Sequence, residues 1–123
     1  MKSDPGIVST LEAETCAEKL AHFFPQAARV RLAAQVTVLR PGAGGLKENT
    51  VVEFAATDHA IFACSLPLEF DDRVQLTLLK QGERQARRGK TAEGTVIAVQ
   101  YHEGRKAVAV RLLGPNARWM QEP

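Results

Sequence analysis

The sequence is poor in the residues that most often carry chemistry. It has two cysteines, one tryptophan and one tyrosine among 123 residues, and aromatics make up only 6%. Cys16 and Cys64 stand far apart, with no second cysteine or histidine at zinc-ligand spacing. Neither a disulfide framework nor a metal site is expected, and two unpaired thiols fit a reducing compartment. No run approaches the roughly 18 apolar residues of a membrane span. The opening MKSDPGIVSTLEAE has acids and a proline where a signal peptide needs an apolar core, so a cytoplasmic protein is expected. The three histidines, His22, His59 and His102, fall in separate segments. With no nucleophile elbow, P-loop or His/Cys cluster, an enzyme is not expected. The net charge of +2 is too small to argue for nucleic acid by itself.

What remains is the pattern of a single small domain. Ser9 and Glu12 have the spacing of a capping box. Beyond them Ala13, Cys16, Ala17, Leu20, Ala21 and Phe24 recur at three- and four-residue steps, which predicts an amphipathic helix ended by Pro25. From Val30 the period changes to two: Val30, Leu32, Ala34, Val36 and Val38 alternate with polar or small residues, a strand with one buried face. RPGAGG (40–45) reads as a turn and 46–55 as a second strand. Thr57-Asp58-His59 forms a turn before a short apolar run, AIFACS. Val74, Leu76 and Leu78 mark a fourth strand. KQGERQARRGK (80–90) reads as a basic loop, and TAEGTVIAVQY and KAVAVRLL as a hairpin around His102-Glu103-Gly104-Arg105. Six strands with local turns predict a mainly β fold, an antiparallel meander closed into a barrel to remove its edges. The tail after Gly114-Pro115 reads as a short helical turn.

The order of parts resembles the PilZ domain, in PLEFDDRVQLTLL and above all in GTVIAVQYHEGRKAVAVRLLGPNARW. The resemblance covers about residues 25–120. It implies a six-stranded β-barrel over 26–120, with an N-terminal extension and helix over 1–25. It also implies a bacterial protein in second-messenger signalling, since that family receives cyclic di-GMP. Trp119 then reads as an anchor at the barrel bottom.

The family's two ligand motifs are R-x-x-x-R before the first strand and D/N-x-S-x-x-G between strands two and three. In the first register PQAAR puts Pro25 at the first arginine and keeps Arg29 at the second, with Arg31 on the same side two residues later. In the second, FAATDH puts Phe54 at the acid, Ala56 at the serine and His59 at the glycine. Each lost charge-assisted hydrogen bond is worth roughly 1.5–3 kcal/mol, so no cofactor is expected and cyclic di-GMP binding should be weak or absent.

The expectation is therefore a non-catalytic adaptor in second-messenger, motility or pilus regulation that works through a protein partner. Asp58 and His59 read first as turn residues that tolerate positive φ, and otherwise as a contact at the barrel mouth. Arg29, Arg31, Asp58 and His59 would form the site of a genuine receptor with an altered arrangement. Lys80, Arg84, Arg87, Arg88 and Lys90 form a patch for phosphates, RNA or an acidic partner, which leaves a small nucleic-acid-binding barrel working through 80–90 as a further alternative. No aromatics interleave with them, so single-stranded nucleic acid is not suggested. The alanine-rich helix either lids the barrel or pairs with its copy in a homodimer.

Overall fold

The computed structural model describes residues 15–42, 45–81 and 86–113. One helix, α1 (Cys16–Ala21), precedes β1 (Ala28–Val38), β2 (Lys47–Ala56), β3 (His59–Ala63), β4 (Arg73–Gln81), β5 (Ala86–His102) and β6 (Arg105–Leu113). The strands close into an antiparallel barrel in the order β1-β2-β3-β6-β5-β4. The mainly β, six-stranded closed barrel read from the alternation is the fold observed. No helix among the described residues is long and apolar enough to cross a membrane.

The alternation in β1 does what the sequence implies. Ala34, Val36 and Val38 are buried inward, and Val30 and Leu32 pack against the same core. They meet Val52, Phe62, Val74, Leu76, Val108 and Val110 inside the barrel, while Leu66 and Leu68 join from the loop after β3. A second cluster lies outside the wall. There Cys16, Ala17 and Leu20 of α1 cover Phe54, Ile61, Ala107 and Ala109. The helix thus lies on its own barrel, chiefly against β6, β5 and β3.

Several elements differ from the sequence reading. The helix is capped at Thr15, whose hydroxyl accepts from the Glu18 N–H at 3.0 Å while the Glu18 carboxylate accepts from the Thr15 N–H at 2.9 Å. The Ser9–Glu12 box lies outside the described residues, as do the C-terminal turn and Trp119. Regular helix stops at Ala21, four residues before Pro25, because tighter bonds follow: Phe23 N–H to Leu20 and Phe24 N–H to Ala21. The segment 80–90 is not one loop. β4 runs to Gln81, β5 begins at Ala86, and Lys80 stands opposite Arg87 in the ladder. Polarity suggested a loop there, but a two-stranded extension needs no buried face to satisfy its backbone. Arg84 lies outside the described residues.

An ion pair fixes one end of the barrel. Arg40 donates from Nε to Asp72 Oδ1 at 3.2 Å and from Nη2 to Oδ2 at 2.7 Å, and also reaches the Pro67 carbonyl. The Glu69 N–H donates to the same carboxylate at 2.8 Å. These donors, Arg40 first, hold the Asp72 carboxyl below its ordinary value of 3.8. The folded state therefore favours the ionised form. This contribution is complete above the ordinary value and is lost as pH falls through the depressed one. Asp72→Asn is expected to flatten the fall in melting temperature as pH drops from about 5 through the depressed value, measured by circular dichroism.

Candidate functional site

The PilZ-type motif positions converge where α1 meets the start of β1 and the end of β2. Arg29 lies within β1 rather than before it, opposite Phe54. A bulge in the β2–β3 pairing between Val52 and Phe54 changes which way the strand faces. Val52 points into the barrel core, whereas Phe54 joins the outer cluster under α1. The Arg29 guanidinium carbon lies 4.9 Å from the centroid of the Phe54 ring. Its Nη2 donates to Glu18 Oε2 at 2.9 Å.

Glu18 is thus held twice, by the Thr15 backbone and by the Arg29 fork. These contacts, the backbone bond first, keep its carboxyl below the ordinary range. The Arg29 side chain is 66% exposed, so the pair adds little stability, about 0–1 kcal/mol. Its consequence is positional: the only family arginine retained in register already faces an internal carboxylate. An open groove of about 490 Å³ remains beside it, lined by Glu18, His22, Phe24, Arg29 and Phe54.

Arg31 is exposed and makes no ion pair among the described residues. An irregularity between Arg29 and Leu32 shifts the β1–β2 register at that point. Asp58 and His59 sit at the next corner. The turn proper is Thr57-Asp58, and His59 already pairs with Ala56 as the first residue of β3. Neither Asp58 nor His59 has positive φ; among non-glycine described residues only Asp71 and Glu103 do. The tolerance of left-handed backbone expected of them is therefore not used. Instead Asp58 Oδ1 lies 2.8 Å from His59 Nδ1, and the Asp58 carbonyl accepts from the Leu112 N–H at 2.8 Å. The His59 ring meets Phe24 at a centroid distance of 5.7 Å.

Glu18 and Phe24 are the residues that sequence reasoning did not place at this site. The signal available was the covered outer face: β3 is apolar on successive residues, so something had to lie on both sides of it. The cysteines are buried, and burial pushes the Cys64 thiol up, away from the thiolate form.

The fold is a small closed antiparallel barrel with a helix laid on its wall. No protein-family model matches the chain, and no curated protein matches it. Among solved structures it is similar to the Bacillus subtilis inhibitor of motility, MotI/DgrA, with a TM-score of 0.53 and 10% identity. That match covers 76% of this chain and 44% of the other, so the chain spans less than half of that protein. The likeness is one of fold.

Proposed function

We propose that the chain is a non-catalytic PilZ-like regulatory module that acts by contacting another protein, with weak or no cyclic di-GMP binding. The observation that carries this is Phe54, which stands at the position of the family's acid and lies beneath α1 and the Arg29 guanidinium. Ala56 offers no hydroxyl, Pro25 offers no cation, and Glu18 would repel a phosphate approaching Arg29. Three missing polar contacts at roughly 1.5–3 kcal/mol each amount to several powers of ten in affinity. A role in bacterial motility is supported by the structural neighbour, an inhibitor of motility by its own description.

Isothermal titration of the full chain with cyclic di-GMP tests the reading. No saturable heat is expected up to about 100 μM ligand, a range that corresponds to roughly 5–6 kcal/mol of binding. Micromolar binding that Arg29→Ala abolishes would overturn it and restore a receptor built on Arg29, Arg31 and Asp58. Glu18→Gln extends the test, because glutamine keeps the capping box but removes the charge. The titration is expected to stay flat in this variant, since Phe54 and Ala56 still supply no polar contact. A gain to micromolar affinity would show that Glu18, rather than the motif changes, keeps the nucleotide out.

A further inference from the structure

At the other end of β2 the barrel wall is incomplete. β2 has ten residues and β3 only five, and their pairing runs only from Val52–Phe62 to Ala56–His59. The first half of β2, Lys47 to Val51, pairs with β1 on one side. The Val38 N–H donates to the Leu46 carbonyl at 2.9 Å, which sets the alternation of the ladder. Glu48 and Thr50 then turn their main-chain groups toward β1, and Lys47 and Asn49 turn theirs outward. Among the described residues no strand meets that outward edge.

Side-chain bonds and one main-chain bond hold the departing chain in place of a ladder. The Thr50 hydroxyl donates to the Ala63 carbonyl at 2.6 Å. The Ser65 N–H and hydroxyl donate to Glu48 Oε1 at 3.0 and 2.9 Å, and the Cys64 N–H donates to the Lys106 carbonyl at 3.1 Å. Beside them opens a cleft of about 560 Å³, lined by Thr50, Ala63, Cys64, Tyr101 and Arg105. That volume lies within the range of ligand clefts. Its far wall is the β5–β6 hairpin, closed tightly by Glu103 and Gly104 at φ 52° and 78°. The hairpin presents Tyr101, 67% exposed, beside the open edge.

The charges around the gap are unequal. Lys47 and Arg105 are exposed and make no ion pair among the described residues. Glu48 is engaged by Ser65, the Lys106 ammonium donates to the Leu66 carbonyl, and Glu103 lies beside His102 at 3.8 Å. An occupant would meet an unpaired strand edge, an aromatic face and three cations, Lys47, Arg105 and Lys106, against the two carboxylates of Glu48 and Glu103.

We propose that this gap is a strand-addition site for an extended, acid-bearing segment of a partner protein. The segment's main chain would bond to the outward groups of Lys47 and Asn49. One of its apolar side chains would pack on Tyr101, and a carboxylate would face Arg105. The site gives a physical form to the adaptor reading, and rests on it only in taking the partner to be a protein. Arg29 stands at the opposite end of β2, so the nucleotide titration and the peptide test report on different places.

The test is selection of a phage library of random heptapeptides on the full chain, followed by fluorescence anisotropy with the enriched peptides. Enriched sequences are expected to alternate β-branched or aromatic residues with polar ones and to include an acid. Asn49→Pro removes the outward N–H and no main-chain bond to β1, while costing the side-chain bond that Asn49 Oδ1 accepts from Gln35 Nε2 at 3.2 Å, and should weaken these peptides at least about tenfold. Arg105→Glu should weaken them about as much and favour lysine-bearing peptides instead. If Asn49→Pro lowers the melting temperature by more than a few degrees, Arg105→Glu decides alone. The proposal is overturned if no peptide is enriched, or if those enriched bind both variants within about twofold of the parent chain. It is overturned equally by a dimer in sedimentation that Asn49→Pro dissolves, which would assign the edge to a second copy.

Discussion

Phe62→Ala is expected to lower the unfolding free energy by about 3–5 kcal/mol. Phe62 is wholly buried in β3, opposite Val52 on one side and Val108 on the other. It is the largest fully buried side chain among the described residues, in a core built mainly of valine and leucine. Such neighbours cannot collapse into the space left by a ring, because β-branched side chains on paired strands have few alternative rotamers. The transfer and cavity contributions therefore both apply. Against a typical total of about 5–15 kcal/mol this is a large fraction, and the melting temperature should drop on the order of 10–20 °C. Thermal and urea unfolding followed by circular dichroism would measure it. A loss below about 1 kcal/mol would mean that the barrel interior is not packed around this ring.

Ile61→Ala makes a useful contrast, since the adjacent residue points the other way, into the layer beneath α1. There the α1 residues Cys16, Ala17 and Leu20 cover the position. The helix is short and joined to the barrel by a loop, so it can settle toward a smaller side chain. A loss of about 2–3 kcal/mol, at the lower end of the range for isoleucine, is expected. The same unfolding curves would show the two neighbours to be unequal. Equal losses would mean that α1 is held as rigidly as the barrel strands.

The strand count and the inward faces were legible because a period of two survives wherever pairing is regular. Val30 to Val38 and Val74 to Leu78 carry it without interruption. The outer cluster was half legible: Cys16, Ala17 and Leu20 formed a stripe, and AIFA showed a strand apolar on both faces, yet neither named the other as partner. Which way Phe54 points could not be read at all. Alternation puts it on the face of Val52, and the bulge between them changes its side. A bulge adds a residue without any fixed sequence marker, so the pattern is misread from that residue onward. Residues 86–90 failed for a different reason. Among the described residues their strand pairs only with β4 there, and a polar, basic composition does not by itself tell a ladder from a loop. The candidate site shares the first of these difficulties and adds another. Arg29, Phe54 and Glu18 meet only because a bulge turns the ring outward and a helix cap positions the carboxylate.

Gly94→Ala is expected to destabilise the barrel by about 1–3 kcal/mol, although substituting alanine for a strand glycine often does the opposite. Gly94 has no positive φ, so alanine meets no backbone strain and would gain about 0.4–1 kcal/mol by restricting the unfolded chain. Packing reverses the sign. A Cβ on Gly94 would collide with Val110 Cγ1 and lie 2.9 Å from the Arg111 carbonyl oxygen. Val110 is fully buried and opposes Val96 and Ala60, so its methyl has no room to retreat. The carbonyl belongs to β6 and cannot move without disturbing the ladder. Gly94 is where β5 runs close against β6, between its pairings with Val74 and Leu112. The strain should couple to Val110: adding Val110→Ala to Gly94→Ala ought to cost less than the two changes summed separately, by about 0.5–3 kcal/mol. Denaturant midpoints of the parent, both single variants and the double variant measure this coupling. Additive losses, or a Gly94→Ala variant more stable than the parent, would show that the strands do not approach this closely in solution.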